Sequence, residues 1–446
     1  MASNPVVNMF RVKELRSRVL FTLFILAVFR LGSALTLPGI NATLLLQYFD
    51  SLASSAESAF ANYMDFFAGG AFERFSVFML GVMPYISTQI ILQLALVIFP
   101  SLKRIAQEEG GQQKVQAWTR IGTIFVCIIQ SLVITIYADS INQQVPGVIV
   151  LDKVYFSILA ILTVTTGSMV TVWIGDQITA HGIGNGISVL ILAGIVARIP
   201  SAIWKLIENV QNNTNGINIV FVIVAFFMYL AIIGLIVYEQ SGERKIPVHY
   251  AKRVVGRKMY GGQNTYIPFK INPSGVIPII FASAFLTFPL QIATGLATKV
   301  TWLSKLSAAL NPLGVLYNLI EVLLIIFFAY FYTQVTLNPT EIAKNIRENG
   351  GSIPGIRTDK TEEYMQKVLN RLVLPGSLYL AAIAVLPTII QNLFGFPQSI
   401  SMLMGGTSLL ILVGVDLDTM SQVEALLKMH HADGFVKKGK LRSRNL

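Results

Sequence analysis

The chain has 446 residues, 54% of them apolar and only 13% charged, where a soluble domain carries about 25% charged residues. That composition excludes a soluble globular protein and makes this an integral membrane protein. The net charge is +11; because the basic residues sit between apolar runs, they bear first on orientation in the bilayer rather than on nucleic acid.

The first apolar run follows Arg11, Lys13, Arg16 and Arg18. No small-residue cleavage pattern ends it, so it is expected to remain as the first span. A spanning helix needs about 20 apolar residues. On that measure the spans are Val19–Leu37, Ser76–Phe99, Ile121–Tyr137, Val154–Ile174, Gly186–Ile207, Ile217–Tyr238, Gly275–Leu296, Leu313–Thr333, Val373–Leu393 and Ile400–Leu417.

Between the first and second spans lies Pro38–Phe75, the longest outer loop. Within it, Ala61–Phe75 reads ANYMDFFAGGAFERF. The part before Gly69 and Gly70 is aromatic, amphipathic and too short to span, and the glycine pair can turn the chain sharply. Two readings stand: a half-helix that re-enters the protein, or an interfacial loop with its aromatics at headgroup level.

The second span carries GVMPYIS at Gly81–Ser87, whose proline is expected to kink the helix. A related stretch, GVIPIIF, returns at Gly275–Phe281. A second pair, GISVLI at Gly186 and GTSLLI at Gly406, behaves alike. The copies lie 194 and 220 residues apart, in the same order, as expected of two related halves.

With the N-terminus in the cytoplasm, 27 of the 34 Lys and Arg residues fall on the inner side. The others are Arg30, Arg74, Lys153, Arg198, Lys205, Lys299 and Lys305. This bias predicts both termini inside. Ten spans divide into five plus five, and an odd number per half inverts the second half relative to the first. The expected organisation is 1–207 as the N-terminal half, 208–427 as the C-terminal half and 428–446 as a basic tail. The two proline segments become the second span of each half, and the two Gly-Ser segments the fifth.

Two inner loops are long and basic. Glu239–Ile271 has the β-branched and aromatic residues, prolines and glycines of a hairpin. Asn338–Leu374 carries NPTEIAKNIRENGGSIPGIRTDK. Both exceed what topology requires and suit an acidic partner: RNA, an acidic protein face or anionic lipid.

No catalytic constellation is present. Cys127 is the one cysteine, so neither an intramolecular disulfide nor a thiolate metal site can form. His181, His249, His430 and His431 lack a ligand spacing such as HExxH, and no phosphate loop occurs. GIGNG at Gly182–Gly186 lacks the preceding strand of a dinucleotide site and reads as a tight turn, with Asp176 and His181 exposed beside it. Arg30 is placed to snorkel, Glu321 lies toward the outer end of span eight, and Asp416 and Asp418 mark the inner end of span ten. No chain of buried acids suggests an ion path. A secondary transporter with inverted repeats is the alternative class, but it should carry polar ligands at the midplane.

Val82 and Ile86 are four apart and share a helix face, as do Ile187 and Ile191. Joined by Ile280 and Ile411 across the repeat, they could form a dry aliphatic constriction. Each could equally be ordinary packing.

The motifs FFAGGAFER, GVMPYIS, DQITAHGIGNGIS, IPVHYAKR, NPSGVIPIIFAS, NPTEIAKNIRENGGSIPGIR and GGTSLLILVGV occur in order over essentially the whole chain. In them the chain resembles the SecY family, the channel subunits of the bacterial Sec protein translocon. The resemblance implies an all-α polytopic membrane protein of the bacterial inner membrane. Its ten transmembrane helices would form two inverted five-helix halves around an hourglass pore.

It also implies roles for particular residues. The pore ring would be Val82, Ile86, Ile187, Ile191, Ile280 and Ile411, with Val82 in place of the family's commoner isoleucine. The plug would be the half-helix near Asn62–Phe72, including Asn62, Tyr63, Met64, Asp65, Phe66, Phe67, Ala68, Gly69 and Gly70. The lateral gate would involve Pro84, Ser87, Gln89, Gln93, Gln130, Pro278, Phe281 and Ser283. Docking of the SecA motor or the ribosome would use Arg244, Lys245, Lys252, Arg253, Arg257, Lys258 and Arg357. The implied partners are SecE, SecG, SecA, the ribosome, signal sequences, nascent membrane proteins and anionic lipids, with SecDF and YidC as accessory factors. Neither cofactor, metal nor enzymatic activity is implied.

Overall fold

The computed structural model describes residues 12–51, 65, 68–211, 219–250, 253–255, 258–260, 264–295, 301–311, 314–394 and 406–437. Fourteen helices occur among the described residues. They are α1 (Lys13–Ala34), α2 (Ala42–Ser51), α3 (Met83–Ile98), α4 (Pro100–Gln107), α5 (Gly111–Gln144), α6 (Lys153–His181), α7 (Gly186–Gln211), α8 (Ile219–Gln240), α9 (Ile277–Gly295), α10 (Thr301–Ala309), α11 (Val315–Thr336), α12 (Pro339–Glu348), α13 (Thr361–Phe394) and α14 (Gly406–Lys437).

Eight of the described helices are long and apolar enough to cross a membrane, and the pair α3 and α4, bent by 105° at Phe99, makes a ninth. In chain order these are the first nine expected spans. The tenth, Ile400–Leu417, lies partly outside the described residues, and the rest of it falls on α14. Large apolar side chains such as Leu23, Phe24, Phe125, Leu162 and Phe227 stay exposed. A solvated surface would not carry so many.

Several ends differ from expectation. The second span begins as a helix only at Met83, and Ala71–Val82 is a series of turns. Pro84 therefore sits in the first helical turn, where its missing N–H is one of the orphan donors anyway, and it kinks nothing. Pro278 occupies the equivalent place in α9. Several helices overrun their spans, among them α5, α13 and α14. α5 continues to Gln144, α13 starts at Thr361 and α14 runs to Lys437, because nothing in those polar flanks breaks the helix.

The chain divides into two compact units, 1–201 with 294–301 and 411–446, and 202–293 with 302–410. In the first unit α5 lies against α6 and α3, and α1 against α6. Glycine lets these helices close. A methyl at Gly122 would overlap Thr88, one at Gly167 the carbonyl of Val77, and one at Gly186 the carbonyl of Gly175. Small residues at such crossings are how helices gain packing in lipid, where no hydrophobic drive brings them together.

The expected tight turn at Gly182–Gly186 is present, with Gly184 at φ +86°. Thr22 accepts from the Ile183 N–H at 3.1 Å, Gln422 from the Gly184 N–H at 3.0 Å and Thr179 from the Gly186 N–H at 2.9 Å. The turn thus joins α1, α6 and α14. His181 is exposed beside Phe21. Asp176, expected to be exposed, is half-buried and paired with Arg120 of α5 at 2.8 Å.

In the second unit, β1 (Glu243–Tyr250) pairs antiparallel with β4 (Asn264–Lys270), and β5 (Gly351–Ser352) joins the other edge of β1. Between them, β2 (Arg253–Val255) and β3 (Lys258–Tyr260) form a small hairpin. The first long loop is the expected hairpin. Ile246 and Val248 alternate inward from β1 onto a core with Phe269, Ile346, Met365 and Leu369, which seats the sheet on α12 and α13.

Candidate functional site

Several described residues between α2 and α3 are deeply buried. Asp65, Ala71, Phe72 and Phe75 are almost fully excluded from the surface. Asp65 and Ala68 are helical, and the glycine pair then turns the chain, Gly69 at φ +65° and Gly70 at φ +91°. Phe72 and Phe75 stack with Tyr137 of α5, each at 6.4 Å between centroids. The turn after the expected half-helix is thus packed inside protein, while most of the half-helix lies outside the described residues. Of the expected plug residues, Asn62, Tyr63, Met64, Phe66 and Phe67 lie outside the described residues.

Phe75 has φ +45°, a left-handed conformation that is costly for a bulky side chain. Its neighbours over-determine it. The Leu37 N–H donates to the Phe75 carbonyl at 2.8 Å and the Val77 N–H to the Leu35 carbonyl at 2.9 Å. This two-bond ladder fixes the segment to the chain leaving α1.

The charged groups converge on the same turn. One Asp65 carboxylate oxygen accepts the N–H groups of Phe72 at 2.8 Å and Glu73 at 3.2 Å. The other faces Arg198 of α7 at 3.2 Å, and Arg198 also reaches Glu73 at 3.4 Å. Arg30 of α1 donates to the Gly69 carbonyl at 2.6 Å. Arg30 was expected to snorkel; instead it turns inward, because that carbonyl offers a fixed acceptor. Sequence reasoning missed both arginines as site residues. Their one signal was that they are basic residues inside outer-side apolar runs.

Val82 and Ile86 open α3, with the Ile86 N–H donating to the Val82 carbonyl at 3.1 Å. Both are buried, as are Ile191 and Ile411. Ile187 is half-buried, and its side chain lies beside Gly175 of α6. These five belong to the first unit and Ile280, also buried, to the second.

The expected gate residues divide the same way. In the first unit Pro84, Ser87 and Gln130 are buried, and Gln89 and Gln93 are half-buried. Gln93 and Gln130 each keep a side-chain carbonyl with no hydrogen-bond partner among the described residues. In the second unit Pro278, Phe281 and Ser283 are buried. Phe281 meets Phe328 and Tyr332 of α11 edge-on at 5.8 and 6.2 Å, so α9 and α11 pack through aromatic rings.

Arg244 and Lys245 are both exposed at the start of β1, with Lys245 over the Tyr266 ring at 4.7 Å. Arg357 is exposed at the end of the PGIR turn. Arg347 of α12 holds that turn by donating to the Thr358 carbonyl at 3.2 Å. Arg253 and Lys258 lie on the small hairpin, while Lys252 and Arg257 lie outside the described residues.

These features define a multi-pass helical membrane protein with a buried re-entrant segment and a basic extramembrane sheet. Residues 76–420 match the SecY family model. The chain is 42% identical over 422 residues to a protein translocase subunit SecY of Borreliella burgdorferi, covering 95% of each. It is also 42% identical over 443 residues to that of Thermotoga maritima, covering 98% of each. A solved structure described as a protein-conducting channel has the same fold, with TM-score 0.63 at 17% identity and 92% of both chains covered. The chain belongs to the SecY family. Its fold is the family's ten-span helical fold, with nine spans on helices among the described residues.

Proposed function

We propose that the chain is the channel-forming subunit of a bacterial protein translocon. It passes unfolded secretory polypeptides across the inner membrane and releases transmembrane segments sideways into lipid. The observation that carries this reading is the burial of Asp65, Ala68, Ala71, Phe72 and Phe75 ahead of α3 in a chain of this family. A solute carrier would need ligands there, whereas a conduit needs a stopper.

The halves 1–207 and 208–427 are inverted repeats with both termini in the cytoplasm, and 428–446 is a basic tail. Val82, Ile86, Ile187, Ile191, Ile280 and Ile411 form a branched aliphatic ring at the constriction. Such a ring excludes hydrated ions by dewetting, and its grip is non-directional, so any sequence can pass. The plug closes the outer side. The lateral gate is assigned to α3 and α5 of the first unit and to α9 and α11 of the second. A hydrophobic segment leaving there gains about 25 cal/mol for each Å² of apolar area removed from water. The conduit performs no chemistry of its own. SecA, the translating ribosome or the membrane potential supplies the energy, and Arg244, Lys245, Arg357 and their basic neighbours receive the motor or the ribosome. SecE and SecG complete the channel.

Single-channel conductance in a planar bilayer tests this, wild type against a deletion of residues 62–72. Wild type should be silent and the deletion should flicker open. If both stay silent even with a signal peptide added, the channel reading falls.

A further inference from the structure

The Asp65 side chain is fully buried, and it is held from two directions. Its backbone-facing oxygen caps the N–H groups of Phe72 and Glu73. Its other oxygen meets Arg198, which at 16% side-chain exposure is itself largely withdrawn from solvent. A buried ion pair is expensive to desolvate, and it persists only while both partners stay together. Arg198 also bridges to Glu73. A guanidinium fork can serve two carboxylates at once, which a lysine ammonium cannot do with the same geometry.

A second contact is independent of charge pairing. Arg30 on α1 donates to the Gly69 carbonyl. Gly69 also touches α7, since a methyl there would overlap the backbone of Gly194. The segment is therefore gripped by a side chain from α1 and one from α7, both within the first unit.

We propose that Arg198 and Arg30 are the positioning residues that hold the plug shut. Arg198 is a charge latch on Asp65 and Glu73, and Arg30 is a hydrogen-bond latch on Gly69. This rests on the reading of the segment as a plug. When the plug leaves, Asp65 goes with it and Arg198 stays on α7, so opening separates that pair and closure re-forms it. The latch lies wholly inside one unit, and its release requires no rearrangement of α1 against α7.

The test measures open-time fraction in planar bilayers for the full chain with the subunits that copurify. Asp65→Asn is nearly isosteric and keeps the acceptor for both N–H groups while removing the charge that faces Arg198. Arg198→Gln removes the other partner. Each removes the ion pair that ties the plug to α7 and should raise the open-time fraction at least about tenfold. The double variant Asp65→Asn/Arg198→Gln should rise no further than the larger single effect, as partners in one interaction do. Arg30→Gln should add to either. If Arg198→Gln does not accumulate, Asp65→Asn carries the test. If Asp65→Asn and Arg198→Gln stay silent while deletion of 62–72 flickers open, the latch is wrong and the plug reading stands. Fully additive single effects would equally overturn the pair. If the deletion too stays silent, the plug reading itself fails and the latch goes with it.

Discussion

Gly81 and Gly275 adopt the same left-handed backbone, at φ +54° and +60°. Each stands two residues before the first residue of a helix and three before a proline in its first turn. The supports beneath them differ. The Gly81 carbonyl accepts a hydrogen bond at 2.9 Å from Ser168 of α6, 87 residues away in sequence. The Gly275 carbonyl accepts at 3.0 Å from Asn272, three residues away, and Asn272 in turn accepts from Ser274 at 2.9 Å. The copies have kept a backbone conformation and changed what enforces it. The first is braced by a distant helix, the second by its own turn.

The sharpest way to break this contrast is through the glycines behind each copy. A methyl at Gly167 would overlap the Val77 carbonyl, whereas one at Gly376 would meet the Ile271 carbonyl at 3.3 Å. Gly167→Ala should cost about 3 kcal/mol or more, at the upper end of overpacking because the obstacle is backbone. Gly376→Ala should cost far less, because the Ile271 backbone need give only slightly and alanine gains about 1 kcal/mol of helix propensity inside α13. Thermal midpoints in detergent report both, and equal losses would mean that the second copy is braced as tightly as the first.

Next comes the capping pair. Ser168→Ala leaves a buried carbonyl short of a partner and should cost roughly 1–3 kcal/mol, against about 0.5–1.5 for Asn272→Ala, because Asn272 is itself buried but the Gly275 carbonyl it serves lies on a half-buried residue. Urea or heat titration of the two variants side by side would show the order. The reverse order would place the stronger brace in the second copy.

The smallest effect separates a helix start from a kink. Pro84→Ala and Pro278→Ala should each shift stability by no more than about 1 kcal/mol, since neither ring displaces a helical hydrogen bond. A large gain in stability from either would show that the proline strains its helix after all.

Hydropathy found the spans because a bilayer imposes length and apolarity together, and the glycine–proline repeat was readable because its residues carry backbone conformations. Helix ends were less legible. Ser76–Val82 is as apolar as the helix that follows, and nothing in apolarity distinguishes buried turns from helix. The polar flank of α5 out to Gln144 gave no hydropathy signal at all. The plug turn was visible in Gly69 and Gly70, but Arg198 was not assigned to it. Its partner Asp65 lies 133 residues earlier, and no local pattern links them. Pore-ring isoleucines looked like any packed aliphatic, and only the repeat and the resemblance singled them out.

The turn at Gly182–Gly186 has a consequence in time. Its Gly184 N–H is satisfied by Gln422, 238 residues later in the chain. Leu15, Ile183, Val423 and Leu427 form one buried cluster on the same helix ends. At ordinary rates of synthesis that interval is on the order of tens of seconds. Throughout it the N-terminal bundle carries an open seam, closed only when the last helix is delivered. A nascent chain stalled before α14 should therefore hold a destabilised first bundle, a natural target for membrane quality-control proteases.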